Sequence, residues 1–160
     1  MDRAGFEALV QAYGDSLYRT ALWMCGDPQQ AEDLVQETLL RAWRGLGRLR
    51  DERAVRGWLI TILRREHARR LPRRLPAAAL DPDQLTAAAP EPATTLSIRA
   101  ALAALPGAQR EVLVLQLVWG FSCAEIGDLL GASPTAVGTR LFRARAALRE
   151  AMAHKKGGLG

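Results

Sequence analysis

The sequence predicts an all-α protein made of two small helical domains joined by a flexible linker. Three observations carry that prediction. Apolar residues recur at i, i+3, i+4 and i+7 in several stretches, the period of a helix rather than a strand. Capping residues stand where those stretches begin, and glycines where they end. Residues 71–93, LPRRLPAAALDPDQLTAAAPEPA, hold five of the eight prolines and seven alanines, with no apolar stripe among them. That is the composition of a linker. Extended at ~3.1 Å per residue, it reaches at most roughly 70 Å. The expected division is therefore 1–70, a linker at 71–93, and 94–160.

The elements follow in order. Phe6, Leu9, Val10, Tyr13 and Leu17 form the stripe of a first helix. Asp27 and Pro28 supply a cap and a first-turn proline for a second, which runs to Gly45 and Gly47. A third begins near Asp51–Arg53, with Val55, Trp58, Leu59 and Ile62 on one stripe. Glu66 falls back onto that stripe, so the helix is expected to outrun its core there, in RREHARR. Beyond the linker, a helix from about Thr95 to Ala104 precedes one from Pro106. The latter contains REVLVLQLVW, apolar almost all round and hence central, and ends at Gly120. Ser122 and Glu125 have the spacing of a capping box, with Phe121 and Ile126 at the staple positions. That helix ends at Gly131, and SPTAVGTRLFRARAALRE follows, with Ser133 as cap and Pro134 in the first turn.

Charge is distributed in blocks. Residues 1–40 carry two basic and seven acidic side chains, and residues 41–74 twelve arginines and three acids. Residues 75–133 hold two basic against six acidic, and residues 134–160 six against one. Two basic blocks beside acidic ones suggest two polyanion contacts and a further partner of different charge. No run approaches the ~18 apolar residues of a membrane span, and the N-terminus does not read as a signal peptide. Cys25 and Cys123 are far apart and lack metal-ligand spacing with His67 or His154. A reduced, cytoplasmic protein is expected, with no metal and no cofactor. The absence of a carboxylate–histidine cluster or a glycine-rich phosphate loop argues against an enzyme.

A short capped helix, a glycine turn and a second helix with a basic face spell helix-turn-helix. Gly127 is small where the two helices cross, and Gly131 can take the positive φ of the turn. On the last helix Val137, Leu141, Ala144 and Leu148 form the core stripe. Thr135, Gly138, Thr139, Phe142 and Arg143 gather opposite, flanked by Arg140 and Arg145. Arginine can read guanine bidentately, phenylalanine can pack on a thymine methyl, and threonine can serve base or phosphate. Taken alone, this helix is equally an ordinary amphipathic surface helix. The capping box, the turn and an apolar Phe142 on the polar face favour DNA.

At this point the chain resembles a bacterial sigma factor of the extracytoplasmic-function (ECF) group, the small kind with only the second and fourth sigma domains. AEDLVQETLLRAWR (31–44), RGWLITILRREHARR (56–70) and CAEIGDLLGASPTAVGTRLFRARAALR (123–149) carry the likeness. A helix-turn-helix alone is generic; the three in series around a proline-rich segment are specific. The resemblance implies that Asp33, Gln36 and Glu37, on one helical face at i, i+3 and i+4, dock on the basic coiled coil of the polymerase β′ subunit. It implies that Arg53, Arg56, Arg64, Arg65, His67, Arg69 and Arg70 handle the −10 promoter element and its melted strand. It further implies that Thr135, Gly138, Thr139, Arg140, Phe142, Arg143 and Arg145 address the −35 major groove. The implied partners are core polymerase (β′ coiled coil and β flap), promoter DNA and an anti-sigma factor, without direct membrane insertion. Trp58 matches a family tryptophan but lies on the apolar stripe, which favours a core role.

Three departures are visible. Leu49 and Val55 stand where the family often has aromatics before Trp58. Arg65 replaces a common asparagine, and Gly138 a common Lys or Arg, at a helix-propensity cost of up to ~1 kcal/mol. The rival within DNA binding is a stand-alone helix-turn-helix regulator, which accounts for residues 95–156 but gives DLVQE (33–37) and the first basic block no task. It also predicts a dimer on a palindromic operator.

Overall fold

The computed structural model describes residues 2–70 and 93–157, and among these all regular structure is helical. The chain forms two compact units, with three α-helices described in the first and four in the second. The linker expected at 71–93 lies outside the described residues, except for Ala93, which opens α4.

In the first unit, α1 spans Arg3–Cys25 and α2 spans Pro28–Arg44. Asp2 caps α1 by accepting the Gly5 N–H at 2.9 Å, and Asp27 caps α2 by accepting that of Gln30 at 3.1 Å. Each carboxylate satisfies one of the free donors of a first turn. A 3₁₀ turn at Glu52–Ala54, capped by Asp51, leads into α3, Val55–Arg70. All three helices pack on one another. Leu17, Leu34, Leu59, Ile60 and Leu63 are fully buried at the centre, each contributing about 1.5–3 kcal/mol by leaving water. Thr38 is buried beside them, and its hydroxyl donates to the Leu34 carbonyl at 2.7 Å, which removes the penalty of an unpaired polar group.

The buried face of α3 is rotated from the one the sequence suggests. Val55 and Leu59 are buried as expected, but the face continues through Ile60, Leu63 and Glu66, while Trp58 and Ile62 are half-buried. The helix therefore does not outrun its core at Glu66. It contacts both α1 and α2, and two neighbours cover a wider arc than a single stripe. Trp58 closes over the end of α2, where a Cβ on Gly45 would lie 3.3 Å from its ring.

In the second unit, α4 spans Ala93–Ala103 and α5 spans Gly107–Trp119, with Pro106 in the cap position. Val112, Leu113, Val114, Leu115 and Trp119 are buried, so α5 is central as its composition implies, although Leu117 is 65% exposed. Arg110 donates from Nη1 to the Ala103 carbonyl at 3.2 Å and closes the end of α4. Its burial lowers the guanidinium pKa from the ordinary value. Helix α6 spans Cys123–Leu130 and α7 spans Pro134–Gly157. The last helix packs against α4, α5 and α6 and serves as the unit's spine.

Candidate nucleic-acid and partner interfaces

The turn between α6 and α7 is built by local chemistry. Ser122 Oγ accepts the Glu125 N–H at 3.1 Å, while Glu125 returns its carboxylate to the Ser122 N–H at 3.0 Å. Phe121 and Ile126 are both buried at either side of this reciprocal cap. Gly131 takes φ +69°, a conformation that costs a side-chain-bearing residue. At Gly127 a Cβ would overlap the carbonyl oxygen of Ala132, and the Ala132 N–H donates back to the Gly127 carbonyl at 2.9 Å. The glycine thus admits the backbone of the turn, a closer neighbour than the crossing helix that the sequence suggests. Ser133 Oγ then accepts the Ala136 N–H at 3.1 Å and starts α7.

This turn fixes which face of α7 is hidden. Val137, Leu141 and Ala144 are buried and Leu148 half-buried, as the stripe requires. Thr135, Thr139, Phe142, Arg143 and Arg145 are exposed, with Gly138 and Arg140 half-buried between them. Phe142 is 70% exposed, an apolar ring on an otherwise polar face. The Thr139 hydroxyl donates to the Thr135 carbonyl at 3.1 Å, leaving its lone pairs outward. Arg145 is engaged within the unit: its Nη2 donates to Oε1 of Gln116 on α5. Thr135, Thr139, Phe142 and Arg143 therefore share an open face, and Arg145 is exposed beside it while tied to α5.

In the first unit the predicted arginines do not form one uniform surface. Arg53, Arg65 and Arg69 are exposed, whereas Arg56, Arg64, His67 and Arg70 are half-buried. Arg69 Nη1 lies 3.2 Å from Glu66 Oε1. Arg70 reaches back to α2, donating to the Asp33 carbonyl at 3.4 Å. Asp33 and Gln36 are exposed and Glu37 half-buried, on the face of α2 where their spacing puts them. Glu37 lies 3.1 Å from the Arg41 Nε one turn on, and the same Nε is 2.6 Å from Glu66.

Two features here escaped the sequence reading. One is the pairing of Arg41 with Glu66; a carboxylate on an apolar stripe is its signal, because such a group is buried only with a cation. The other is an open apolar groove formed by Phe6, Leu39, Leu40 and Trp43, flanked by Gln36. Phe6 and Trp43 meet edge to face at 5.1 Å, yet Trp43 remains 44% exposed. Among the described residues no helix is long and apolar enough to cross a membrane, and no cluster of ligating side chains is assembled that could hold a metal.

Comparison with known proteins adds a second line. Residues 9–74 match Sigma-70 region 2, and residues 95–148 match Sigma-70, region 4. The chain is 35% identical to the ECF RNA polymerase sigma factor SigL of Mycobacterium tuberculosis, over 92% of this chain and 89% of that protein. It is 32% identical to SigG of the same organism over 92% of this chain, but spans only 48% of that relative's length. Among solved structures it is similar to the sigma factor RpoE of Bartonella quintana, crystallised with the anti-sigma factor NepR. That likeness has a TM-score of 0.76 and 25% identity, covering 93% of this chain and 97% of that one.

Proposed function

We infer the working of this chain from one premise: it belongs to the extracytoplasmic-function sigma factors of the sigma-70 family. It is a promoter-specificity subunit that acts in the cytoplasm, at the nucleoid, and regulates transcription rather than catalysing a reaction of its own. Residues 1–70 bind core polymerase through Asp33, Gln36 and Glu37 and engage the −10 element. There Arg53, Arg56, Arg64, Arg65, His67, Arg69 and Arg70 line the path of the melted strand. Residues 94–160 lay α7 in the −35 major groove, with Thr135, Thr139, Phe142 and Arg143 at the bases and Gly138, Arg140 and Arg145 alongside. Residues 71–93 span the two contacts. Basic side chains gain affinity by releasing counterions from phosphates, while unstacking a base costs a few kcal/mol that capture of the unpaired strand offsets. An acidic face on α2 suits a basic coiled coil, and charge complementarity there sets partner choice and encounter rate. By analogy with the RpoE–NepR complex, an anti-sigma factor that covers these surfaces would hold the protein inactive.

The observation that carries this reading is the conjunction, in one chain, of an acidic helix face beside an arginine-rich helix and a helix-turn-helix with Phe142 and Arg143 exposed on its second helix. A stand-alone regulator has use for the second alone. The decisive experiment is in vitro transcription by bacterial core enzyme on a genomic library, with sequencing of transcript starts. Added chain should produce new starts that share −35 and −10 elements. Failure to join core, with self-pairing on a symmetric duplex instead, would overturn the assignment.

A further inference from the structure

Among the arginines assigned to the −35 face, Arg140 and Arg143 make no hydrogen bond or ion pair with the described residues, whereas Arg145 is held. Its Nη2 donates to Oε1 of Gln116, a half-buried residue of α5 that neither the core nor the proposed DNA contacts use. The tie does not withdraw the guanidinium, because Arg145 stays exposed. Gly138, Phe142 and Arg145 stand at i, i+4 and i+7, so Arg145 continues the row of the exposed Phe142. The chemistry of the acceptor matters. A guanidinium is a fork of several N–H donors; one goes to the amide oxygen, and the others are left for a second ligand. A neutral amide also holds the cation with its charge intact, whereas a carboxylate would cancel it.

Position along α7 decides the ligand. In a helix-turn-helix the N-terminal residues of the second helix meet base edges. Arg145 lies about 16 Å along the axis from Pro134, the first residue of α7, farther than the ~12 Å width of the major groove. At that distance a helix laid in the groove passes the sugar–phosphate backbone. We propose that Gln116 is a positioning residue for the −35 contact: from α5 it presets the Arg145 guanidinium, charge intact, for a DNA phosphate at the edge of the groove. This rests on the reading of α7 as the −35 helix. An arginine already fixed by one hydrogen bond loses less freedom when a phosphate binds, which raises affinity without adding sequence preference.

The test is binding of the holoenzyme to a promoter fragment at several salt concentrations, with circular-dichroism melts of every variant chain. Gln116→Met keeps the side-chain length but removes the amide acceptor. It should weaken binding roughly fivefold, the ordering cost of one long side chain. Arg145→Ala should weaken binding at least as much and make the salt slope shallower by about one, the mark of one lost phosphate contact. Added to Arg145→Ala, Gln116→Met should then change nothing further, because Gln116 acts through the arginine. The same loss in both backgrounds overturns the proposal, since a Gln116 that merely supports α5, or touches DNA itself, gives that pattern. If Gln116→Met does not fold, Gln116→Glu keeps the tether but cancels the charge; it should melt no lower than the wild type and still reduce the salt slope by about one. An unchanged slope rejects the proposal. A wild-type holoenzyme indifferent to the −35 sequence strikes the reading of α7 itself. Normal −35 dependence with an unaffected Gln116→Met or Arg145→Ala strikes the positioning role alone.

Discussion

Phe142 and Arg143 stand side by side on α7, and both project from the molecule. Replacing either with alanine removes little internal packing, so stability should stay within about 0.5 kcal/mol. Promoter binding by the holoenzyme should nevertheless weaken by about 1–3 kcal/mol if the side chain reads a base. A titration of promoter fragments against thermal melts separates the two effects; equal binding by Arg143→Ala removes that residue from the interface. Gly138, one turn earlier on the same helix, offers the reverse case. A Cβ there meets no atom within 4 Å, so Gly138→Ala should raise stability by about 0.5–1 kcal/mol through helix propensity. A melt that does not rise would mean the position is strained in a way its open surroundings do not reveal. These residues were legible in the sequence because a single helical period assigns them to one face. Arg145 was less so, since its tie to Gln116 joins residues far apart in the chain.

At the scale of the element, the joint of α6 and α7 sets which face of α7 is exposed. Ser122→Ala removes half of the reciprocal cap and should cost about 1 kcal/mol. Gly127→Ala should cost more, about 1–3 kcal/mol, because the added methyl meets the rigid backbone at Ala132 rather than a movable side chain. Both are measured by denaturant unfolding of the full chain; a Gly127→Ala variant of undiminished stability would show that the turn can open. The capping box, the positive φ of Gly131 and the ends of α6 follow from local sequence rules, which is why they were foreseeable. The buried face of α3 was not. Its true centre at Leu59, Ile60 and Leu63 depends on α1 and α2 together, and periodicity along one helix carries no record of how many neighbours flank it.

For the whole molecule, the proposed function gives polymerase to the first unit and upstream DNA to the second. Replacing Asp33, Gln36 and Glu37 together should abolish co-purification with core polymerase while leaving helicity intact; a triple variant that still binds normally dissociates this face from docking. Three features were fixed by the sequence alone: the all-helical class, two separate apolar-periodic regions either side of a proline-rich segment, and the exposed face of α7. Each depends on neighbours a few residues away, whose geometry the peptide backbone dictates. Tertiary structure alone decided the partners of Glu66, the reach of Arg70 to the Asp33 carbonyl, and the groove where Phe6 meets Trp43. Those contacts join helices separated by long stretches of chain, and they exist only because packing of the apolar faces first brings the helices together.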